Sequence, residues 1–229
     1  AAGIPVGSLP RPARPADVLN LSFGGPVLSF TLQRAITQAV GNGALVVVAA
    51  GNGGDDARTY SPGGLDDVIS VGAVGRSGQR TPYSNTGPRV DLLAPGGDAD
   101  LTADDDGAIS VDGVLSTYRD DGLRDDPKSS TPYTYGVLSG TSQSAPHVSA
   151  AAALSRALSP TLGQRAFAAL VTASANPRYR CDSDPALGCG AGLLDVAALV
   201  GQVSRNLACG CTGDQVCSDG KSCAVPPPR

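Results

Sequence analysis

Seven consecutive apolar residues, Ala44-Leu45-Val46-Val47-Val48-Ala49-Ala50, constrain this chain more than any other feature. A strand with one face in water alternates polar and apolar residues, whereas an unbroken β-branched run has both faces covered, as in parallel sheets flanked by helices. Upstream, Ala16 to Ser22 alternates into an apolar strand that stops at Gly24-Gly25. Between the two, Leu32, Ala35, Ile36, Ala39 and Val40 recur at helical spacing from Ser29 to Val40, and Gly41 and Gly43 supply the stop signal. Strand, helix, strand predicts a βαβ unit with parallel strands and a right-handed connection. Further strands are expected at Val68–Val74 and Val90–Leu93. Helices are expected at Thr141–Leu158, Thr161–Ala173 and Val196–Arg205, the last with Asp195 as N-cap. The fold class is α/β, a doubly wound, mostly parallel sheet with flanking helices.

At 229 residues the chain has room for one such domain and a short appendage, and 41% hydrophobic with 17% charged residues is the balance of a soluble globular protein. All 21 acidic residues are aspartates. A net charge of -4 with no concentrated basic face gives no argument for nucleic acid binding. The longest apolar run, seven residues, is far below the roughly 20 needed to cross a bilayer, so no membrane-spanning helix is expected. Ala1 to Val6 has neither the basic start nor the apolar stretch of a secretory signal.

Cys181, Cys189, Cys209, Cys211, Cys217 and Cys223 all lie in the last 49 residues. An even number of cysteines in a Gly/Asp/Pro-rich tail favours disulfides and an oxidising, extracellular location. The competing reading is zinc, against which stand the absence of paired C-x-x-C spacing and of any tail histidine. Cys181 and Cys189 enclose a short loop and are expected partners, leaving the last four to pair among themselves. The division expected is a domain over 1–205 and a disulfide-rich tail over 206–229, which Pro226-Pro227-Pro228 could also make an independent binding module. Between Asp98 and Asp126, ten of 29 residues are aspartate, around an alternating patch of Ile109, Val111, Val114 and Leu115 that reads as an inserted hairpin. Asp98, Asp100, Asp104, Asp105 and Asp106 are candidate ligands for a structural calcium ion, because hard cations take carboxylate oxygens from flexible loops; a solvated acidic loop fits the same residues.

The segment Ser139-Gly140-Thr141-Ser142-Gln143-Ser144-Ala145-Pro146-His147-Val148 leads into a small-residue run, the pattern of a loop feeding a buried helix. Ser142 then sits at a helix N-terminus, where unpaired N–H groups and the positive dipole end favour developing negative charge. Pro146, tolerated in a first turn, is expected to fix the helix start near Ser142. A serine becomes a strong nucleophile only when a base takes its proton and donors receive the oxyanion. Asn52, in Ala49-Ala50-Gly51-Asn52-Gly53-Gly54 at the carboxyl end of the buried strand, is a candidate donor; an ordinary turn asparagine reads the same way.

Gly140-Thr141-Ser142 with Ala145-Pro146-His147-Val148 resembles the nucleophile motif of the subtilisin-like serine proteases of secreted bacterial type, and Ala49-Ala50-Gly51-Asn52 resembles their oxyanion motif. Val18-Leu19-Asn20-Leu21-Ser22-Phe23-Gly24-Gly25 is similar to their substrate-binding strand, and Val68–Val74, Ala94-Pro95-Gly96 and Cys189 to Asp195 match in order. The resemblance covers roughly residues 16 to 200. It implies a serine endopeptidase with Ser142 and Asn52 as catalytic residues, acting on protein or peptide substrates without a cofactor for the chemistry. It also implies a substrate strand pairing along Ser22, Phe23, Gly24 and Gly25, a second wall at Ala49, Ala50 and Gly51, and Thr141 among the substrate-binding residues. A pocket of backbone, small residues and Phe23, with no fixed charge, predicts apolar or bulky side chains at the cleavage site.

A triad also needs a base and an orienting carboxylate. The chain's single histidine, His147, stands five positions after Ser142, about 140° around a helix, and reads as a packed structural residue. In the family both missing groups lie upstream of the substrate-binding strand, so the resemblance implies a fold lacking its N-terminal portion. The expected partner is a companion N-terminal chain carrying Asp and His, cleaved near the surface loop Gly7–Pro15. The competing readings are an inactive fragment or a binding module with the same fold; an unrelated serine hydrolase fails because no G-x-S-x-G elbow surrounds Ser142. Gln143 stands where the family often carries methionine, and the chain contains none. Hydrolysis should therefore survive mild peroxide, and inactivation under that treatment in a residual-activity assay would contradict this.

Overall fold

The computed structural model describes residues 14–98, 112–119, 133–179, 181, 188–218 and 220–227. Four parallel strands lie side by side in chain order: β1 (Val18–Leu21), β2 (Leu45–Ala49), β3 (Ile69–Val74) and β4 (Leu92–Pro95). Helix α1 (Phe30–Gly41) connects β1 to β2, and Ser29 caps it by accepting a hydrogen bond from the Leu32 amide. The apolar run becomes β2, buried throughout, because its alternate side chains enter two different cores. Val46 and Val48 pack with Ile36 and Ala39 of α1, while Leu45, Val47 and Ala49 face the opposite layer.

That opposite layer is built by α2 (Thr141–Leu158), α3 (Gln164–Ser174) and α4 (Val196–Ala208). Helix α2 crosses all four strands and presents Ala145, Val148, Ala151 and Ala152 to them, so small side chains let its backbone approach the sheet closely. Phe167 of α3 and Leu199 and Val203 of α4 complete the core with no exposed surface. One buried polar group is needed to finish β2: Gln164 accepts from the Val46 amide (2.9 Å) and donates to the Val46 carbonyl (3.0 Å), standing in for a ladder partner where β3 has not begun.

Several boundaries differ from expectation. β4 starts at Leu92 rather than Val90, and α3 at Gln164 rather than Thr161, because the Leu162 amide closes a turn onto Ser159 and the Gly163 amide donates to the Gly213 carbonyl of the tail. Pro146 falls in the second turn of α2, not the first. Its ring leaves the carbonyl of Ser142, four residues back, without a helical donor, and the Ser22 hydroxyl supplies one at 2.8 Å. Of the hairpin expected within Asp98–Asp126, the acidic segment contributes one strand, β5 (Val114–Arg119), whose antiparallel partner β6 (Tyr133–Leu138) lies beyond it, while Ile109 and Val111 lie outside the described residues.

The division after residue 205 falls inside α4, and the tail beyond that helix packs onto the domain. Asn206, 3% exposed, accepts from the Cys217 amide (2.8 Å) and donates to the Gln215 carbonyl (3.2 Å). The disulfides are Cys181–Cys189, Cys209–Cys217 and Cys211–Cys223; the last two bracket the small ladder of β7 (Val216–Cys217) and β8 (Cys223–Ala224). Gly163 gives α3 no side-chain cap, and the tail provides one: the Asp214 carboxylate accepts from the amides of Arg165 (2.8 Å) and Ala166 (3.4 Å). Replacing Asp214 by Ala should lower unfolding stability by about 1 kcal/mol, read as an earlier urea midpoint with unchanged slope.

Candidate active site

The carboxyl ends of β1, β2 and β4 converge on the first turn of α2. Ser142 is the second residue of that helix, and its N-cap, Gly140, makes no side-chain capping bond, so a side chain from elsewhere in the fold has room to meet the first turn. Gly140 adopts φ 146, a conformation that disfavours any Cβ, and its amide donates to the Gly96 carbonyl at 2.9 Å, propping the turn on the segment after β4. Ser144 donates to the Ala94 carbonyl (3.0 Å), a second tie from α2 to that strand.

Asn52 reaches this turn from the end of β2. Its side-chain oxygen accepts from both the Thr141 amide (2.9 Å) and the Thr141 hydroxyl (2.8 Å), and the hydroxyl in turn accepts from the Gly51 amide (3.2 Å). With the oxygen so occupied, the Asn52 amide NH2 is the end free to donate, beside Gly140 and next to the nucleophile turn. Thr141, expected to touch substrate, has no exposed surface: it holds Asn52 from beneath. Ala50 is likewise fully buried, so it offers a substrate no side-chain surface.

Ser142 Oγ donates to the Ser22 carbonyl at 3.1 Å, and Ser22 Oγ returns a bond to the Ser142 carbonyl. The strand exit Ser22–Gly25 is thereby pinned against Ser142. His147 sets its Nδ1 2.9 Å from the Gln143 carbonyl, the i−4 contact of a packed helical histidine, as expected. Among the described residues no imidazole accompanies Ser142.

The two expected walls, Ser22–Gly25 and Ala49–Gly51, are joined below by the segment after the 3-10 turn Ala57–Thr59. Gly25 and Ser61 exchange backbone bonds of 3.0 and 3.1 Å, and a Cβ on Gly24 would lie 2.6 Å from the Ser61 carbonyl oxygen, so only glycine permits this approach. On the other wall, Gly51 holds φ 111 with the Tyr60 ring against it. Phe23, 56% exposed, stands at the rim. Beyond the Gly51 wall, Asp55 Oδ2 accepts from the Tyr60 hydroxyl at 2.9 Å, and both groups fill the space that a side chain on Gly53 would take.

Two participants carried no readable signal. Asn85 looks like a turn residue in Tyr83-Ser84-Asn85-Thr86-Gly87, yet it is completely buried and hydrogen-bonded to the Asn52 loop. Tyr60 is separated from Asp55 by four residues that a one-dimensional pattern does not connect.

For calcium, Asp98 is exposed, and Asp100, Asp104, Asp105 and Asp106 lie outside the described residues. Among the described residues no three carboxylates gather into a cation site. The one such group is Cys209, Cys211 and Cys217, whose sulfurs are committed to disulfides, which answers the zinc reading. No described helix is long and apolar enough to cross a membrane.

Residues 7–192 match the profile of the Subtilase family. The chain is 35% identical over 209 residues to an extracellular basic protease of Dichelobacter nodosus, covering 89% of this chain and 31% of that protein. It is 33% identical to an extracellular protease of Xanthomonas campestris pv. campestris, covering 87% of this chain and again 31% of the relative. Among solved structures, a protease of Pseudoalteromonas arctica superposes with a TM-score of 0.75 at 36% identity, over 88% of this chain and 56% of that one. The chain thus spans about a third of the length of the two sequence relatives.

The Asp55 bond holds the Tyr60 hydroxyl above the ordinary tyrosine pKa, with burial adding to it. A raised acid pKa means that this pair stabilises the loop below the unfolded tyrosine value and loses its effect as pH climbs through the raised one. In a tyrosinate absorbance titration referenced to Tyr60→Phe, Asp55→Asn should bring the Tyr60 transition to lower pH.

Proposed function

This chain belongs to the subtilase family, and from that premise we propose that it is the nucleophile-bearing part of an extracellular serine endopeptidase. The observation that carries the reading is the Asn52–Thr141 contact, which sets an amide donor beside the helix start that carries Ser142. In the reaction, Ser142 Oγ attacks the scissile carbonyl carbon while a base takes its proton. The carbonyl oxygen, now an oxyanion, receives the Ser142 amide and the Asn52 NH2, and both donors are fixed before charge develops. Collapse expels the amine, which takes the proton from the base; water then attacks the acyl-enzyme by the same route and frees Ser142. The substrate chain pairs along Ser22–Gly25, with the side chain before the cut lodged between Phe23–Gly25 and Gly51.

The base and its carboxylate come, in this reading, from a companion N-terminal segment, and two features support it. Among the described residues the outer edge of β1 has no strand partner, unusual for a parallel strand. Helix α2 also leaves Pro146, Ala150, Ala153, Leu154, Ala157 and Leu158 exposed along one apolar stripe, with Leu154 at 51%, on a helix whose other side is core. A segment that adds a strand to β1 and covers the stripe would also reach Ser142. Disulfides and the extracellular relatives support a site of action outside the cell.

Without a base beside it, the Ser142 hydroxyl donates to the Ser22 carbonyl. A fluorophosphonate probe should label the protein containing the upstream segment, with labelling and peptide hydrolysis both lost in Ser142→Ala. The isolated chain should give no triad-supported hydrolysis. Failure of the complete protein to label would sink the protease reading in favour of a binding module.

A further inference from the structure

Asn52 presents its amide from a turn, Ala50–Asp55, that is exposed from Asn52 to Asp55 and contains three glycines. A turn of that composition has little intrinsic stiffness, because glycine restrains the backbone least. Yet an oxyanion donor is effective only when it is held in place before charge develops. Thr141 fixes the far end of the Asn52 side chain. The backbone on both sides of Asn52 is held by something else.

That group is Asn85, which has no exposed surface. Its Nδ2 donates to the Ala50 carbonyl at 2.9 Å, on the near side of Asn52. Its Oδ1 accepts from the Gly53 amide at 3.0 Å and the Asp55 amide at 3.0 Å, on the far side. Its own backbone amide donates to the Gly51 carbonyl at 3.0 Å. One side chain therefore closes the turn across its base, and only a carboxamide offers a donor and a two-fold acceptor in that span. The contact is so close that a Cβ on Gly51 would overlap Asn85 Nδ2. Asn85 is rigid in turn: Ser84 beside it accepts from the Ala73 amide in β3 (2.9 Å), and Arg80 donates to the Ser84 carbonyl (2.9 Å).

We propose that Asn85 is a positioning residue for the oxyanion site, acting on the reaction only through Asn52. The inference rests on the reading of Ser142 as nucleophile and Asn52 as donor. It makes a distinction that a general structural role does not: Asn85 should matter in the transition state, where Asn52 bonds, and not in the ground-state complex.

The test is a double-mutant cycle in the enzyme complete with the segment that supplies the base: wild type, Asn52→Ala, Asn85→Ala and the double variant, with rates expressed per fluorophosphonate-reactive site. Asn85→Ala should lower kcat by about ten- to a hundredfold, part of the roughly 100- to 1000-fold that a lost oxyanion donor costs, with KM nearly unchanged. In the Asn52→Ala background the same change should cost almost nothing, since the group it positions is gone. Equal kcat losses with and without Asn52, an unchanged kcat in Asn85→Ala, or a loss carried by KM would each overturn the proposal. If Asn85→Ala does not fold, Asn85→Ser, which keeps a donor and an acceptor, runs the same cycle with the same criteria. An inactive wild type, or an active Ser142→Ala, would instead overturn the protease reading beneath it, a result distinct from an additive cycle in an active enzyme.

Discussion

Two hydrogen bonds onto a single oxygen, from the Thr141 amide and hydroxyl to Asn52 Oδ1, join the end of β2 to the start of α2. The geometry of the site depends on that junction. It orients the Asn52 amide toward the nucleophile turn, buries Thr141 and, through the Gly51 amide, sets the angle at which the chain leaves the sheet. A neutral hydrogen bond contributes only about 1 kcal/mol net, so the junction holds because several act together. The Asn85 carboxamide, the Ser22–Ser142 exchange and the Gly140–Gly96 bond are the other members.

The sheet makes this geometry available. Parallel strands end together, so β1, β2 and β4 deliver Ser22, Asn52 and Gly96 to one edge, where α2 begins. The small residues along α2 allow it to lie close on the strands. Pro146 in its second turn releases the Ser142 carbonyl to Ser22, so a helix defect becomes a tie between the nucleophile and the strand that would bind substrate.

The sheet's outer edge at β1 and the apolar stripe on α2 share one physical cause. A strand of a parallel sheet and a helix with apolar residues on two opposite faces are both built to be covered. The tail illustrates the opposite case. It is small, polar and disulfide-linked, yet Asn206 and Asp214 bind it to α4 and α3 so closely that it caps a helix of the domain.

The α/β class, the parallel order around β2, the Asp195 cap and the extent of α2 were all legible in the sequence, because each rests on local periodicity or on side chains a few residues apart. Ser142 and Asn52 were legible too, as motifs. What the sequence left open was long-range. Asn85 and Tyr60 are ordinary turn residues until the chain brings them against Gly51 and Gly53, and Asp214 is an ordinary tail aspartate until it meets α3. Local sequence determined which elements form and which residues end them. Only tertiary structure decided which polar groups meet, because Asn85 reaches Gly53 across 32 positions and Asp214 reaches Arg165 across 49, and such pairing is settled by packing rather than by any pattern along the chain.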